Sequence, residues 1–253
     1  MLLNCDVGES QNLALVASDQ EVFPYIDLAN IACGYHAGSA PTMAATIELA
    51  RHFGVTIGAH PSYPDRENFG RKSMVLTDQQ LNAVLHAQIG SIDRLCMAQH
   101  AVLHYVKPHG ALYNDMQANL ELFEQVVAVV AAENRWRPEP LKLMTLATID
   151  QQPYADIAKR YQVSLWFEAF ADRRYTEDGR LRSRDYEDAV LDNQTAIITQ
   201  AERFARGESI TTVEGEPLMI RADTLCVHGD NPAAVATVAA IRQSLERIQG
   251  SAG

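Results

Sequence analysis

Short apolar runs recur seven times along the chain, and most are separated by amphipathic stretches of helical length. The runs lie near residues 1–6, 28–34, 54–59, 102–107, 141–147, 163–170 and 223–228. Helical periodicity covers 41–53, 119–133, 151–161 and 193–206, and two more helices begin at Thr77 and after Asp230. Alternating strands and helices are typical of βα units, so the pattern predicts a parallel sheet.

Two of the predicted helices have clear start residues. Thr77 and Gln80 are spaced as a capping box, in which the side chain of each residue accepts a hydrogen bond from the backbone N–H of the other. Asp230 is placed to cap the last helix, with Pro232 in its first turn, where a missing N–H costs nothing.

Two segments interrupt the alternation of strands and helices. They are Pro64 to Leu76 and the charged stretch Ala171 to Asn193. Each follows a strand that ends in polar residues, and long loops in such positions are commonly functional, so we expect two lids. From Ile210 to Arg221 the pattern predicts a short hairpin before the last strand.

The polar residues that end the apolar runs predict a barrel with one functional rim. Six runs end in polar or ionisable clusters, at 4–9, 33–38, 58–61, 107–110, 168–173 and 227–230. In parallel α/β folds the carboxyl ends of the strands meet on one face, so these clusters would share a site. With 253 residues, 47% of them hydrophobic, the chain suits one barrel of about 250 residues. We expect a single domain over 1–253.

Composition narrows the classes of partner. A net charge of −11 disfavours a nucleic-acid surface but allows an anionic small substrate that meets local cations. The chain shows neither a basic amino-terminal segment followed by an apolar stretch nor an apolar run near the ~18 residues that span a bilayer. We therefore expect a cytoplasmic protein without membrane contact. The four cysteines lack the spacing of a disulfide framework, which predicts buried thiols.

The first three polar clusters supply carboxylates and imidazoles. Asp6, His36 and His60 come from three successive strands, and one carboxylate with two imidazoles is a ligand set for a divalent metal. The alternative is that these histidines only form hydrogen bonds within a polar rim. Asp6 and Glu9 also suit a general base and a general acid.

The later clusters supply cations. Lys107 and His109 lie two residues apart, which places both on one side of a strand, where they suit an anion or a developing oxyanion. The alternative for Lys107 is an ion pair with a buried carboxylate such as Asp6 or Glu168. His228 lies at a predicted helix start, where free N–H groups favour anions, while Asp230 fits a cap better than a catalyst.

Six motifs resemble the LamB/YcsF family, in order and over nearly the whole chain. They are Leu3–Glu9, Ala29–Gly38, Ile57–Arg71, Val106–Asn114, Glu168–Arg173 and Cys226–Asp230. The resemblance implies a distorted (β/α), TIM-like barrel of seven strands, related to the polysaccharide-deacetylase type of fold. It also implies ATP-dependent hydrolysis of 5-oxo-L-proline to L-glutamate, carried out with the partner subunits B and C of a 5-oxoprolinase.

For that reaction, Asp6 or Glu9 would be the base, with Lys107 and His109 as further catalytic residues. The expected substrate contacts are Asn4, His36, His60, Arg66, Arg71, Arg173 and His228. The sequence contains no GxxxxGK[ST] segment, so ATP is held either by another kind of site or by a partner subunit. Whether copies of the chain assemble with each other stays open.

Two other functions compete with this one. The first is a metal-dependent deacetylase or amidohydrolase that acts alone without ATP, and the second is a binding subunit without turnover. Departures from the family pattern favour the binding subunit without turnover. Ser39 stands where the family usually has aspartate, and Arg174 stands where it usually has glycine. The segment 182–191 also differs from the family's usual pattern.

Overall fold

The computed structural model describes residues 1–10, 19–227 and 232–250 of the chain. The described strands are β1 (Leu2–Val7), β2 (Leu28–Ala32), β3 (Thr56–His60), β4 (Leu103–Val106), β5 (Lys142–Leu146), β6 (Leu165–Phe170), β7 (Ile210–Thr211), β8 (Pro217–Leu218) and β9 (Thr224–Cys226). The described α-helices are α1 (Ala40–Phe53), α2 (Asp78–Ala98), α3 (Gly110–Ala118), α4 (Leu120–Asn134), α5 (Gln152–Arg160), α6 (Gln194–Arg206) and α7 (Pro232–Gly250). Short 3-10 turns lie at Phe23–Tyr25 and Glu187–Ala189.

Seven of these strands form a closed parallel barrel in the order β1-β2-β3-β4-β5-β6-β9. Strand β9 closes the ring, because Cys226 lies opposite Asn4 of β1 on one side and opposite Phe170 of β6 on the other. Since every pair is parallel, all seven carboxyl ends lie at one rim. The predicted seven-stranded TIM-like barrel is confirmed.

The inside of the barrel changes from apolar to polar along the strands. Leu28, Tyr105 and Met144 form a small buried cluster that is separate from the main core. Two residues further along their strands come Asn30 and Lys107, which alternation places on the same inner face. Asn30 and Lys107 therefore lie nearer the carboxyl-terminal rim than the apolar cluster of Leu28, Tyr105 and Met144.

The opposite faces of the strands pack against the helices. Cys5, Ala29 and Ile31 belong to the main hydrophobic core, together with Leu85, Ile89 and other apolar residues of the helical layer. This is the usual arrangement of an α/β barrel, in which the strands are covered by helices outside and filled by side chains inside. The site at the rim thus rests on a frame that is packed on both sides.

Most predicted helices are present within a few residues of their expected bounds, and α2 begins with the predicted Thr77–Gln80 capping box. The predicted hairpin is present as the antiparallel pair β7 and β8. Helix α3 was missed, because it has only nine residues and begins directly after the Lys107–Gly110 motif. The expected cap Asp230 lies outside the described residues.

The environment of the cysteines agrees with the sequence-based prediction. All four cysteines are free and buried, as predicted. Among the described helices, none combines the length and the apolar character needed to cross a bilayer.

Candidate functional site

A cavity of about 500 Å³ opens at the carboxyl end of the barrel. Seven residues singled out from the sequence line it: Asp6, Glu9, His60, Arg71, Lys107, His109 and Arg173. Three others do not line it, namely Asn4, His36 and Arg66. His228 lies outside the described residues, so its predicted substrate contact stays a prediction.

Lys107, directly after β4, is the centre of a buried ion-pair network. Its Nζ lies 2.9 Å from Asp6 Oδ1 and 2.9 Å from Glu168 Oε1. It also donates to Asn4 Oδ1 at 3.3 Å and to Cys226 Sγ at 3.3 Å. The structure therefore shows the ion-pair alternative for Lys107, with both of the carboxylates that were named for it.

The charge of Lys107 is stabilised by these partners. Burial alone would lower its pKa, but the Asp6 and Glu168 carboxylates outweigh that effect and raise the pKa of Lys107 well above its ordinary value. Lys107 is thus an ammonium at neutral pH and holds the Asp6 carboxylate in place, which makes it a positioning residue.

Neutral side chains complete the network beneath Asp6. Asn30 Nδ2 donates to Asp6 Oδ1 at 2.7 Å and to Asn4 Oδ1 at 2.8 Å, while Tyr105 Oη donates to Asn30 Oδ1 at 2.7 Å. On the far side of Lys107, Tyr113 Oη donates to Glu168 Oε2 at 2.8 Å. The orientation of Asp6 is therefore fixed from two directions.

Three histidines lie beside this network. His36 follows β2, His60 ends β3, and His109 precedes α3. The rings of His36 and His109 are stacked with centroids 3.8 Å apart, and His60 meets His109 edge-on at 4.8 Å. Topology thus brings three strand ends into one imidazole cluster.

Hydrogen bonds fix how the rings face one another. His60 Nδ1 lies 2.7 Å from the carbonyl oxygen of Lys107, and His109 Nε2 lies 2.9 Å from that of Phe69. The remaining ring nitrogens, His60 Nε2 and His109 Nδ1, are 2.9 Å apart. Glu9 Oε1 lies 3.4 Å from His36 Nε2, and Asp6 Oδ2 lies 3.4 Å from His60 Nε2.

Burial keeps two of these rings neutral. It lowers the pKa of His36 to about 2, with the neighbouring His60 adding to the effect. Burial, together with His60 and His36, also lowers the pKa of His109 well below its ordinary value. At neutral pH both rings therefore have a nitrogen with a free lone pair.

The side chains whose possible ligand atoms converge only partly coincide with Asp6, His36 and His60, the set expected from the sequence. One ligand atom each from Glu9, His36, His60 and His109 lies within 4.8 Å of the others. Asp6 lies beside this group, with Oδ1 bonded to Lys107 and Asn30. Strand alternation could not show this, because Glu9 and His109 are on turns beyond the strand ends.

Glycines allow the turns to approach the histidines. Gly70 has φ +66°, and a Cβ there would lie 2.9 Å from His36 Cβ and 3.0 Å from His109 Cδ2. Its carbonyl accepts a hydrogen bond from Ala111 N at 2.8 Å, which connects the loop to the first turn of α3.

The arginines named from the sequence have different surroundings. Arg66 donates to the carbonyls of Gly34 and Gly38, both at 2.6 Å, so its guanidinium fastens the turn that carries His36 and does not line the cavity. Arg173 lines the cavity and donates to the carbonyls of Ala189 and Arg182. Burial and the neighbouring Arg184 lower the pKa of Arg173 to about 10, which leaves it charged at neutral pH.

The chain is similar to known proteins over nearly its whole length. Residues 1–252 match the model of the LamB/YcsF family. The chain belongs to the LamB/YcsF family.

LamB/YcsF proteins of high similarity include the 5-oxoprolinase A subunit of Vibrio cholerae (strain M66-2), which is 47% identical over 244 residues and aligned over 96% of this chain and 97% of the relative. The 5-oxoprolinase A subunit of Pseudomonas fluorescens (strain Pf0-1) is 49% identical over 245 residues, covering 97% and 96% of the two chains. The crystal structure of a lactam utilization protein from Thermus thermophilus superposes with a TM-score of 0.86 at 32% identity, covering 98% and 96%.

Two of the departures from the LamB/YcsF pattern, Ser39 and Arg174, have structural roles in this chain. Ser39 caps α1 by accepting a hydrogen bond from Thr42 N at 3.3 Å. Arg174 Nη1 lies 3.3 Å from Asp188 Oδ2, which ties two parts of the 171–193 segment together. Local contacts thus explain both Ser39 and Arg174, and neither residue changes the polar side chains at the rim.

Sequence reasoning missed several residues of this LamB/YcsF site. Asn30 and Tyr113 are inside the matching motifs but follow no ionisable pattern, so only the folded contacts show their role. The predicted lid 171–193 contributes Arg180, Arg182 and Arg184 to the cavity lining. Their alternate spacing was visible in the sequence, but the path of the loop was not.

Proposed function

We propose that this protein is the component of a 5-oxoprolinase in which the lactam of 5-oxo-L-proline is opened to L-glutamate, with ATP consumed and partner subunits B and C required. The observation that carries the proposal is the convergence of Asp6, Glu9, His60, Lys107 and His109 on one cavity. Relatives named as the A subunit of 5-oxoprolinase and as a lactam utilization protein, aligned over nearly the whole chain, support the choice of substrate.

The charge of the cavity suits an anionic substrate. Among the described lining residues, six are basic and three are acidic, although the whole chain has a net charge of −11. The basic ones are Arg71, Lys107, Arg173, Arg180, Arg182 and Arg184, and the acidic ones are Asp6, Glu9 and Asp185. Guanidinium groups match carboxylate and phosphate oxygens in geometry and charge.

The size of the cavity also fits. A volume of about 500 Å³ lies within the roughly 300–1,000 Å³ of small-molecule sites. A five-membered lactam with its carboxylate would occupy only part of this volume and would leave space for a transferred phosphoryl group. Arginines of the 171–193 segment are placed to bind that additional charge.

Asp6 is the base that we assign. In ring opening, water forms a bond to the carbonyl carbon and gives a proton to Asp6. The C–N bond then breaks, and the nitrogen keeps the electron pair and takes up a proton. Asp6 lies at the cavity wall, and the Lys107 ammonium 2.9 Å away stabilises its ionised form. The buried network beneath it keeps the carboxylate oriented toward the cavity.

ATP enters this proposal as a co-substrate, because an unstrained amide is a poor electrophile. Its γ-phosphoryl group is transferred to the amide oxygen and ADP leaves. Breaking the C–N bond then leaves an acyl phosphate, which a second water hydrolyses to the carboxylate and inorganic phosphate. The sequence has no GxxxxGK[ST] cradle, so we assign the nucleotide to a partner subunit. The arginines of this chain then bind the anionic groups of the activated lactam.

The test is reconstitution with the partner subunits, followed by measurement of glutamate and phosphate release from 5-oxo-L-proline and ATP. Asp6→Asn should lower kcat by about 10²–10⁴-fold while circular dichroism stays native. Asp156→Asn, at an exposed carboxylate of α5, is the matched control and should keep full activity. If the complete complex releases no glutamate from 5-oxo-L-proline but cleaves another amide, the substrate assignment is wrong.

The imidazole cluster favours one other candidate, a metal-dependent deacetylase or amidohydrolase that acts alone. That enzyme would cleave its amide without ATP and without partner subunits. Hydrolysis of N-acetylated or cyclic amides by the isolated chain would select it over the 5-oxoprolinase.

A further inference from the structure

The feature left unexplained by the network around Lys107 is the contact between His60 and His109. His60 Nδ1 and His109 Nε2 each face a backbone carbonyl, and a carbonyl only accepts, so each of these nitrogens carries its hydrogen. In neutral rings, His60 Nε2 and His109 Nδ1 are then bare. These two bare nitrogens lie 2.9 Å apart, so two lone pairs face each other.

Two lone pairs at that distance repel unless a cation lies between or beside them. A proton is one such cation, but it would add positive charge to a buried pair of rings that stack on a third imidazole. The other such cation is a metal ion, and the neighbouring side chains are arranged to bind one.

His36 and Glu9 point into the same place. His36 is 1% exposed, and among the described residues neither of its ring nitrogens has a hydrogen-bond partner. Its Nε2 lies 3.4 Å from Glu9 Oε1, which is also 3.8 Å from His109 Nδ1. A buried imidazole without a partner, next to a carboxylate, is expected where a ligand belongs.

We propose that Glu9, His36, His60 and His109 bind one divalent transition-metal ion of the Zn²⁺ class. Three imidazole nitrogens and one carboxylate oxygen are donors that Zn²⁺, Co²⁺ and Ni²⁺ accept. The four donor atoms lie within 4.8 Å of one another. Two nitrogens on one zinc ion are roughly 3.3 Å apart when Zn–N is about 2.05 Å, so small side-chain shifts suffice.

The surroundings of the four donors support the ion. Metal-bound histidines usually donate their second N–H to a carbonyl or carboxylate, which fixes the ring and its tautomer. The carbonyls of Lys107 and Phe69 do this for His60 and His109. Arg66 fastens the turn of His36 through two further carbonyls.

The ion would lie next to the proposed base, because Asp6 Oδ2 is 3.4 Å from His60 Nε2. When bound, such an ion acidifies water and polarises a carbonyl. The site is inferred from the donor atoms alone and stands whether or not the substrate is a lactam.

Binding is tested on the full chain, without substrate or partner subunits, so that a failure of lactam hydrolysis does not affect the result. Chelator-treated protein is titrated with Zn²⁺ by calorimetry and with Co²⁺ by visible absorption. We expect one ion per chain and a Co²⁺ spectrum typical of four or five nitrogen and oxygen ligands.

The variants separate this site from adventitious binding. His36→Gln should weaken Zn²⁺ binding by more than the roughly 10–100-fold that loss of an outer partner costs. His86→Gln is the matched control, because His86 also pairs with a glutamate, Glu133, but on α2 away from the rim, and it should bind Zn²⁺ normally. Glu9→Gln, at a partly exposed residue, gives a second readout if His36→Gln does not fold.

Two results would overturn the proposal. One is the absence of stoichiometric binding of Zn²⁺, Co²⁺ and Ni²⁺, which would leave a shared proton between His60 and His109. The other is Zn²⁺ affinity that is unchanged in folded His36→Gln and folded Glu9→Gln.

Discussion

At the scale of the residue, Lys107 carries the positive charge that the partly buried Asp6 and the buried Glu168 share. Asp6 and Glu168 both lie 2.9 Å from its Nζ, and Glu168 is fully buried. Such an arrangement depends on all three charges, because removal of one leaves another without compensation in a medium of low polarity.

Lys107→Met should therefore lower the free energy of unfolding by about 3–5 kcal/mol, as measured by urea denaturation. Adding Glu168→Gln to that variant should restore part of the loss, because one of the two uncompensated carboxylates is then neutral. Lys159→Met, at an exposed lysine of α5, is the control and should change stability by less than about 0.5 kcal/mol. Equal stability of Lys107→Met and Lys159→Met would contradict the role given to the ion pairs.

Asp6, His60 and Lys107 line the cavity and could be expected there because they lie at the ends of strands. Asp6 and His60 are on strands, where alternation fixes which side they face. Glu9 and Arg173 could be named but not positioned, since their direction depends on turns. Arg66 illustrates the limit, because its charge suggested substrate while its two bonds are to backbone carbonyls.

At the scale of the element, the loop that carries Gly70 decides how closely the histidine turns approach one another. A side chain at Gly70 would meet His36 and His109, and its φ of +66° is one that other residues adopt only with strain. The loop and α3 are joined at the same point by the bond from Ala111 N to Gly70 O.

Gly70→Ala should lower the free energy of unfolding by at least about 1–2 kcal/mol from backbone strain alone, and it should also reduce activity by displacing the rings. Gly90→Ala provides a matched comparison within α2, where a Cβ meets nothing within 4 Å. That change should raise stability by about 0.5–1 kcal/mol. Urea denaturation of both variants measures the difference, and the same sign for both would refute the argument from local geometry.

Long elements were predicted well and short ones were not. The periodic helices α2 and α4 have patterns over several turns, whereas the nine residues of α3 give too few repeats to show a period. The 171–193 segment forms a short 3-10 turn and two isolated bridges, Arg173 with Val190 and Tyr175 with Leu181, which no local pattern specifies.

At the scale of the whole molecule, burial of neutral acids sets an alkaline limit to stability. Burial raises the pKa of Cys33 and of Cys96 to about 12, from an ordinary value of 9.0. Burial also raises the pKa of Tyr105 and of Tyr113 well above 10.0. The unfolded chain would lose these protons at lower pH than the folded chain does.

The free energy of unfolding should therefore be unaffected by these groups below pH 9 and should decrease as the pH rises from about 9 toward 12. Urea denaturation at a series of pH values measures this decrease. Absorbance at 295 nm provides a second measurement, because the buried tyrosines should ionise only when the chain unfolds. Ionisation of every tyrosine near pH 10 with native circular dichroism would contradict the prediction.

The seven-stranded barrel could be predicted because each βα unit repeats a local pattern. The closure of the barrel could not be predicted in this way. Cys226 of β9 pairs with Phe170, over 50 positions earlier, and with Asn4, over 220 positions earlier. No local pattern encodes such pairs. A ring was expected from the polar clusters that end six of the apolar runs and from the resemblance to LamB/YcsF proteins.

Closure by β9 also has a consequence for synthesis. A ribosome releases the amino terminus first, so β1 and β6 keep unpaired edges until residue 226 has left the exit tunnel. During that interval Asp6 and Lys107 lack the wall that β9 contributes, including the thiol of Cys226. The rim of the nascent chain is therefore complete only once β9 has joined the ring and covered both open sheet edges.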